Sequence, residues 1–329
     1  MASSSSSLTT GPSRWATMTA YLSIARFDHW IKNVFVIPGA LVALTVSNHP
    51  NWLHIAQHFL IAMLAVGFVA SSNYVINEVM DAPFDRHHPT KCLRPVPSGR
   101  ISLPYAYAEW LALMALGLWL ASLVSRPLLL TLLVLWIMGI IYNVPPFRSK
   151  DVPYLDVLSE SVNNPLRMLA GWYIVQPVSA PPLSLLVSYW MMGCFFMATK
   201  RLAEYQEIGN PERSTAYRRS FEFYNEQRLL VSILFYCSLA MLMLGAFIIR
   251  YRLECILGFP LIAILMAVYL SLAFKPDSAV QRPEKLYREP ALLISATAAV
   301  VVLTVFLFVD VPILYHWFAP LQSGLIPKT

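Results

Sequence analysis

The sequence predicts an all-α, polytopic membrane protein of about nine transmembrane helices, and three observations carry that prediction. Hydrophobic residues make up 57% of the 329 positions and charged residues only 13%, with a mean hydropathy of +0.57. The apolar residues gather into runs near 31–48, 54–77, 104–124, 127–144, 155–176, 182–200, 228–249, 255–274 and 290–312, each close to the roughly 17–25 residues a span needs. The basic residues also alternate between loops: with the N-terminal side counted as cytoplasmic, 19 Lys and Arg lie on that side, 4 on the other, and Arg167 falls inside a span. Such a bias orients the N-terminus and the even-numbered loops toward the cytoplasm of a cell membrane and, after nine spans, leaves the C-terminus outside.

A net charge of +6 does not indicate nucleic acid here, because the cations follow the loops of a membrane topology rather than one soluble face. Residues 1–20 read as a disordered, Ser/Thr-rich tail without the early charge and compact apolar core of a signal peptide. Residues 21–318 read as a single transmembrane catalytic domain and 319–329 as a short tail. Cys92, Cys194, Cys237 and Cys255 have no Cys-x-x-Cys spacing, so neither a zinc site nor a disulfide framework is indicated.

The first span is preceded by Phe27-Asp28-His29-Trp30-Ile31-Lys32-Asn33, in which Trp30 and Lys32 are residues of an interfacial belt, and it is interrupted by Pro38-Gly39. The second span ends in Asn77-Glu78-Val79-Met80-Asp81-Ala82-Pro83-Phe84-Asp85. Asn77, Asp81 and Asp85 recur every four residues and share one stripe if the helix reaches that far. Carboxylates at the mouth of an apolar helix are costly unless cations accompany them, and magnesium, a hard ion held by one or two carboxylates with substrate phosphates, suits them. The implied ligand is a diphosphate, with Asn77, Glu78, Asp81 and Asp85 as candidate metal ligands. Solvation of a loop end is the plainer alternative, weakened by the regular spacing and by the basic residues that follow. The connector from Arg86 to Pro104 is stiffened by Pro89, Pro95 and Pro97 and could hold Lys91 and Arg94 over a phosphate.

Spans three and four, joined at Ser125-Arg126-Pro127, are apolar scaffold and antiparallel neighbours. The fourth leads into Tyr142-Asn143-Val144-Pro145-Pro146-Phe147-Arg148-Ser149-Lys150, and Asp151 stands where a helix cap is expected. The fifth carries Asp156, Glu160, Asn163 and Arg167 along one stripe, which must face the bundle interior; a Glu160–Arg167 pair is long at two turns, so a wet cavity is the preferred reading. The sixth runs into Lys200-Arg201-Leu202-Ala203-Glu204, with Lys200, Glu204 and Glu207 on one face. The basic loop beyond it, Arg213 to Tyr224, could also meet anionic headgroups.

The pattern Asn-x-x-x-Asp-x-x-x-Asp after the second of nine spans resembles the UbiA superfamily of intramembrane prenyltransferases over nearly the whole chain. Three segments are more similar to its polyprenyl-phosphate phosphoribosyltransferase branch: His29 to Asn33, Asp85 to Lys91 with Arg94-Pro95, and Lys200 to Glu204. Where prenyl-diphosphate enzymes usually carry a second Asp-x-x-x-Asp motif, this chain has Lys200, Arg201 and Glu204. Glu78 departs from the usual Asp, and Arg26-Phe27 from the usual Arg-Pro.

The resemblance implies a bundle with a central cytoplasm-facing cavity and magnesium-dependent transfer of 5-phosphoribosyl from phosphoribosyl diphosphate to a decaprenyl-phosphate-like acceptor. It implies catalytic roles for Asp81, Asp85 and Lys200. Substrate contacts would fall to Lys32, Asn33, Asn77, Arg86, His88, Lys91, Arg94, Tyr142, Arg148, Lys150, Asp156, Arg167, Arg201 and Glu204. The alternative is prenyl transfer from a prenyl diphosphate to an aromatic or other lipophilic acceptor. A transporter, a third reading, would need charges through the membrane depth rather than at one face.

Overall fold

The computed structural model describes residues 14–47, 50–86, 91–209, 218–281 and 283–318, and among these every regular element is helical. Among the described residues, twelve α-helices follow one another: α1 (Arg14–Ile24), α2 (Ile37–Thr45), α3 (Trp52–Asp85), α4 (Leu103–Val124), α5 (Arg126–Asn143), α6 (Leu155–Ser161), α7 (Asn163–Val175), α8 (Leu183–Ile208), α9 (Glu226–Tyr251), α10 (Phe259–Ala273), α11 (Pro290–Phe308) and α12 (Pro312–Trp317). Among the described residues, seven segments are long and apolar enough to cross a membrane: α3, α4, α5, α8, α9, Leu253–Ala273 and α11. The protein is therefore a multi-pass membrane protein.

Two of the nine expected spans are broken. The first divides into a 3-10 helix, Phe27–Val36, and the short α2, with Pro38 placed in the first turn of α2, where its missing N–H is no loss. The fifth divides at Val162 into α6 and α7, because Asn163-Asn164-Pro165 starts a new helix more readily than it continues an old one. Within the segment expected to be a disordered tail, α1 begins at Arg14, and it buries Ala20 and Ile24. Asp151 closes a short 3-10 turn, Ser149–Asp151, and the residue before α6 is Tyr154, at φ 64°.

The chain divides into two compact units. The first comprises Met1–Ala40, His49–Lys150 and Leu166–Ser179 so far as they are described. Its axis is α3, 34 residues long. Against the C-terminal turns of α3, Ala20 and Ile24 of α1 pack with Val75, Val79, Ala82, Val96, Ile101 and Ala106. Trp30 is a structural bolt as well as an interfacial residue: a Cβ on Gly67 would lie 2.6 Å from its indole ring, and its Nε1 donates to Ser71 Oγ at 2.9 Å.

Two further glycines of this unit let backbones touch. A Cβ on Gly171 of α7 would stand 1.8 Å from Val36 O, and one on Gly39 would stand 1.9 Å from Met168 O. Backbone cannot swing aside as a side chain can, so Gly171→Ala is expected to destabilise the protein by about 1–3 kcal/mol or more. Gly245→Ala, where nothing lies within 4 Å of the added carbon, should leave stability unchanged or slightly raised. Thermal unfolding of both variants in one detergent measures the contrast; equal melting temperatures would refute the close crossing.

The second unit comprises Leu41–Asn48, Asp151–Pro165 and Ala180–Thr329, again so far as described. Its core joins Val157 of α6, Cys194, Phe195 and Leu202 of α8, Ile233 and Tyr236 of α9, and Ile262 and Met266 of α10.

Candidate functional site

Helix α3 continues to Asp85 in spite of Pro83, so Asn77, Asp81 and Asp85 do stand one turn apart on a single stripe. Asp81 Oδ1 accepts from Lys150 Nζ at 2.5 Å and Arg148 Nη2 at 3.1 Å. Asp85, 6% exposed, accepts from Arg94 Nη1 at 2.6 Å and has Lys91 Nζ at 3.9 Å. Each carboxylate is therefore held by two cations, one pair from the connector after α3 and the other from the loop after α5. Arg148 also lies over the Phe84 ring, 4.9 Å from its centroid, and Lys150 over Tyr142 at 5.8 Å.

Asn143, which the sequence reading left unassigned, sets the orientation of this group. Its Nδ2 donates to Gly139 O at 2.9 Å, turning its Oδ1 toward Asn77 Nδ2 at 2.5 Å and Lys150 Nζ at 2.9 Å. Since Asn77 donates through its nitrogen, its carbonyl oxygen is the end left to accept or to coordinate. The signal for Asn143 was a carboxamide in the last turn of an otherwise apolar span, where Asn has no propensity reason to sit.

Glu78 differs from the expected metal quartet. It is 1% exposed, accepts from the Val96 N–H at 3.3 Å and pairs with Arg26 Nη2 at 3.3 Å. One helical residue on from Asn77 points about 100° away, so Glu78 fastens the proline-rich connector to α3 and does not join Asp81.

The remaining candidates of the first unit are spread out. Lys32 Nζ lies 5.8 Å from the centroid of the Tyr74 ring. Asn33, 1% exposed, accepts through Oδ1 from Arg167 Nε at 3.3 Å. Arg86 is exposed at the C-cap of α3. His88 lies outside the described residues.

The second unit holds its own polar cluster. Asp156, fully buried, accepts at Oδ2 from Arg201 Nε at 3.1 Å and Ser220 Oγ at 3.3 Å, and at Oδ1 from the Tyr224 hydroxyl at 2.7 Å. Arg201, 2% exposed, donates through Nη1 to Glu204 Oε2 at 2.7 Å and has Glu160 Oε2 at 3.6 Å. Burial, together with the Asp156 carboxylate, pushes the Tyr224 phenol well above its ordinary value, so it stays a donor at physiological pH. Glu160 thus partners Arg201. Lys200 stands at the edge of this cluster, its Nζ 4.0 Å from Glu204 Oε1.

Among the described residues, no three His, Cys, Asp or Glu side chains cluster closely enough to hold a metal unaided. The stripe on α3 nevertheless offers hard oxygen donors, Asp81, Asp85 and the Asn77 carbonyl, of the kind magnesium takes when phosphate oxygens complete its shell. Those residues fit the ion in donor chemistry.

Comparison with known proteins identifies the family. The profile of the UbiA prenyltransferase family matches residues 33–296. Decaprenyl-phosphate phosphoribosyltransferase of Corynebacterium glutamicum is 31% identical over 205 residues, 60% of this chain and 58% of that protein. The enzyme of the same name from Mycolicibacterium smegmatis is 28% identical over 225 residues, 67% of each chain. This chain therefore spans 58% of the first of these relatives and 67% of the second. A UbiA homolog from Archaeoglobus fulgidus, solved bound to DMAPP and Mg2+, superposes with a TM-score of 0.67 at 22% identity, covering 87% of this chain and 99% of that one.

Proposed function

We propose, from the premise that this chain belongs to the UbiA prenyltransferase family, that it transfers 5-phosphoribosyl from phosphoribosyl diphosphate to a polyprenyl phosphate and releases diphosphate. The observation that carries this reading is the α3 stripe, where Asp81 and Asp85 are each matched by two cations. Support for the phosphoribosyl donor comes from the relatives named for that activity and from Lys200, Arg201 and Glu204 in place of a second acidic pair.

In the reaction a phosphate oxygen of the acceptor bonds to the anomeric carbon of ribose while the bond from that carbon to the diphosphate oxygen breaks, its electron pair leaving with the diphosphate. The acceptor oxygen is already anionic at neutral pH, so no general base is required. A magnesium ion held by Asp81, Asp85 and Asn77 would supply positive charge to the leaving diphosphate. With those carboxylates engaged by a metal, Lys150 and Arg148, which pair with Asp81, and Arg94 and Lys91, which pair with Asp85, would donate to phosphate oxygens. Asn143 keeps Lys150 and Asn77 in register during that exchange. The N-terminus and this end of α3 are assigned to the cytoplasm of a cell membrane, where the soluble donor is found.

Prenyl transfer is the second reading, favoured by the 33% identity over 133 residues to digeranylgeranylglyceryl phosphate synthase of Saccharolobus solfataricus. Incubating the purified protein with labelled phosphoribosyl diphosphate and a polyprenyl phosphate, beside a prenyl diphosphate with lipophilic acceptors, separates the two. Phosphoribosyl transfer abolished by EDTA and restored by magnesium is the expected result, and prenyl transfer alone would reject the proposal. In the same assay Lys200→Ala should cost about 1.5–3 kcal/mol of transition-state stabilisation, the size of a lost charge-assisted hydrogen bond. If Lys200 merely anchors the helix at the interface, Lys200→Arg and Lys200→Ala should both turn over normally.

A further inference from the structure

At the end of α3 opposite Asp81 and Asp85, His54 and His58 project one turn apart from the same face. Their ring centroids are 3.8 Å apart and the rings are inclined at 51°. His54 is exposed and His58 half-buried, so an ion can reach the pair from outside the bundle. The backbone beneath them is fixed as well, because Asn51 caps the helix, its Oδ1 accepting the His54 N–H at 3.2 Å.

We propose that His54 and His58 form a two-histidine site for a late first-row divalent cation such as zinc, copper or nickel. Two imidazole nitrogens on one tetrahedral ion, each about 2.0–2.1 Å from it, stand roughly 3.3 Å from one another. With centroids 3.8 Å apart the rings lie against each other, and rotation about their side-chain bonds would spread them to present one nitrogen each to a shared ion. Histidines four apart on a helix are a recurrent way to present two ligands to a metal, and a helix end with a satisfied cap holds them more rigidly than a loop.

The chemistry of the pair sets it apart from the α3 stripe. No Asp or Glu occurs between Trp52 and Asn77, so this stretch of α3 offers imidazole nitrogen rather than the carboxylates that magnesium or calcium takes. At 1.5 Å per residue, about 35 Å of helix separates His58 from Asp81. Water, or a lipid phosphate at the membrane surface, would fill the remaining positions.

The test uses full-length protein without a polyhistidine tag, in detergent, titrated with zinc chloride by calorimetry and with copper by electron paramagnetic resonance. The wild type should bind one ion at least tenfold more tightly than the His54→Gln/His58→Gln variant. Its copper spectrum should carry nitrogen coupling that the variant lacks, and a tenfold excess of magnesium should not displace the ion. Equal affinity in wild type and variant would assign binding to other histidines and overturn the proposal, as would no binding at all. Because the readout is metal binding alone, either result is independent of the transferase reading.

Discussion

Asp81→Asn is expected to lower kcat/KM for phosphoribosyl transfer by at least about 10²–10³-fold, the range seen when one preorganised electrostatic partner of a transition state is removed. The carboxylate has two tasks in the proposed reaction, first on the metal and, in its absence, as the shared partner of Lys150 and Arg148. An amide oxygen can still accept hydrogen bonds from both cations, so the fold should survive. It cannot supply negative charge to magnesium, so the first task fails. The distinguishing measurement pairs the kinetic assay with thermal unfolding: a near-wild-type melting temperature with collapsed turnover is the expected outcome. Normal turnover at ordinary magnesium concentration would remove Asp81 from the site, and a collapsed fold would make it a structural residue.

The second large effect is expected at Arg201, and it is one of stability. Arg201→Met removes the cation that touches Asp156, Glu204 and Glu160, and Asp156 has no exposure through which water could replace it. Breaking a buried ion pair from one side typically costs about 3–5 kcal/mol, because the orphaned charge stays desolvated. Lys200 Nζ, 4.0 Å from Glu204, and Arg218 Nη1, 3.8 Å from Asp156, remain nearby and hold the cost toward the lower end. Adding Asp156→Asn and Glu204→Gln to Arg201→Met should recover most of the loss, since all three charges are then gone. A single variant that melts with the wild type would show that the cluster contributes nothing to the fold.

What could be read from the sequence follows from what sequence patterns encode. Seven of the expected spans were legible because length and hydropathy suffice for them. The α3 stripe was legible because a four-residue repeat survives wherever the helix does, and the cations that meet it were legible as loop charges. The break at Val162 was not inferred, although Asn163-Asn164-Pro165 announced it, because the apolar residues on both sides kept the average hydropathy high. Glu78 was placed with Asp81 on proximity in sequence, whereas its direction depends on Arg26 and Val96, which reach it from distant parts of the chain. Asn143 and the Gly39 and Gly171 crossings escaped for the same reason: their meaning lies in partners that only tertiary packing supplies.

The pairing of each acidic residue on α3 with two basic ones makes substrate capture an ion-exchange reaction rather than a simple attraction of opposite charges. Before the donor arrives, the two carboxylates offset only half of the charge on the four cations, and in the proposed reaction the same groups are afterwards matched against new partners. Affinity for the donor should therefore fall with ionic strength, but less steeply than at a basic surface that carries no carboxylates.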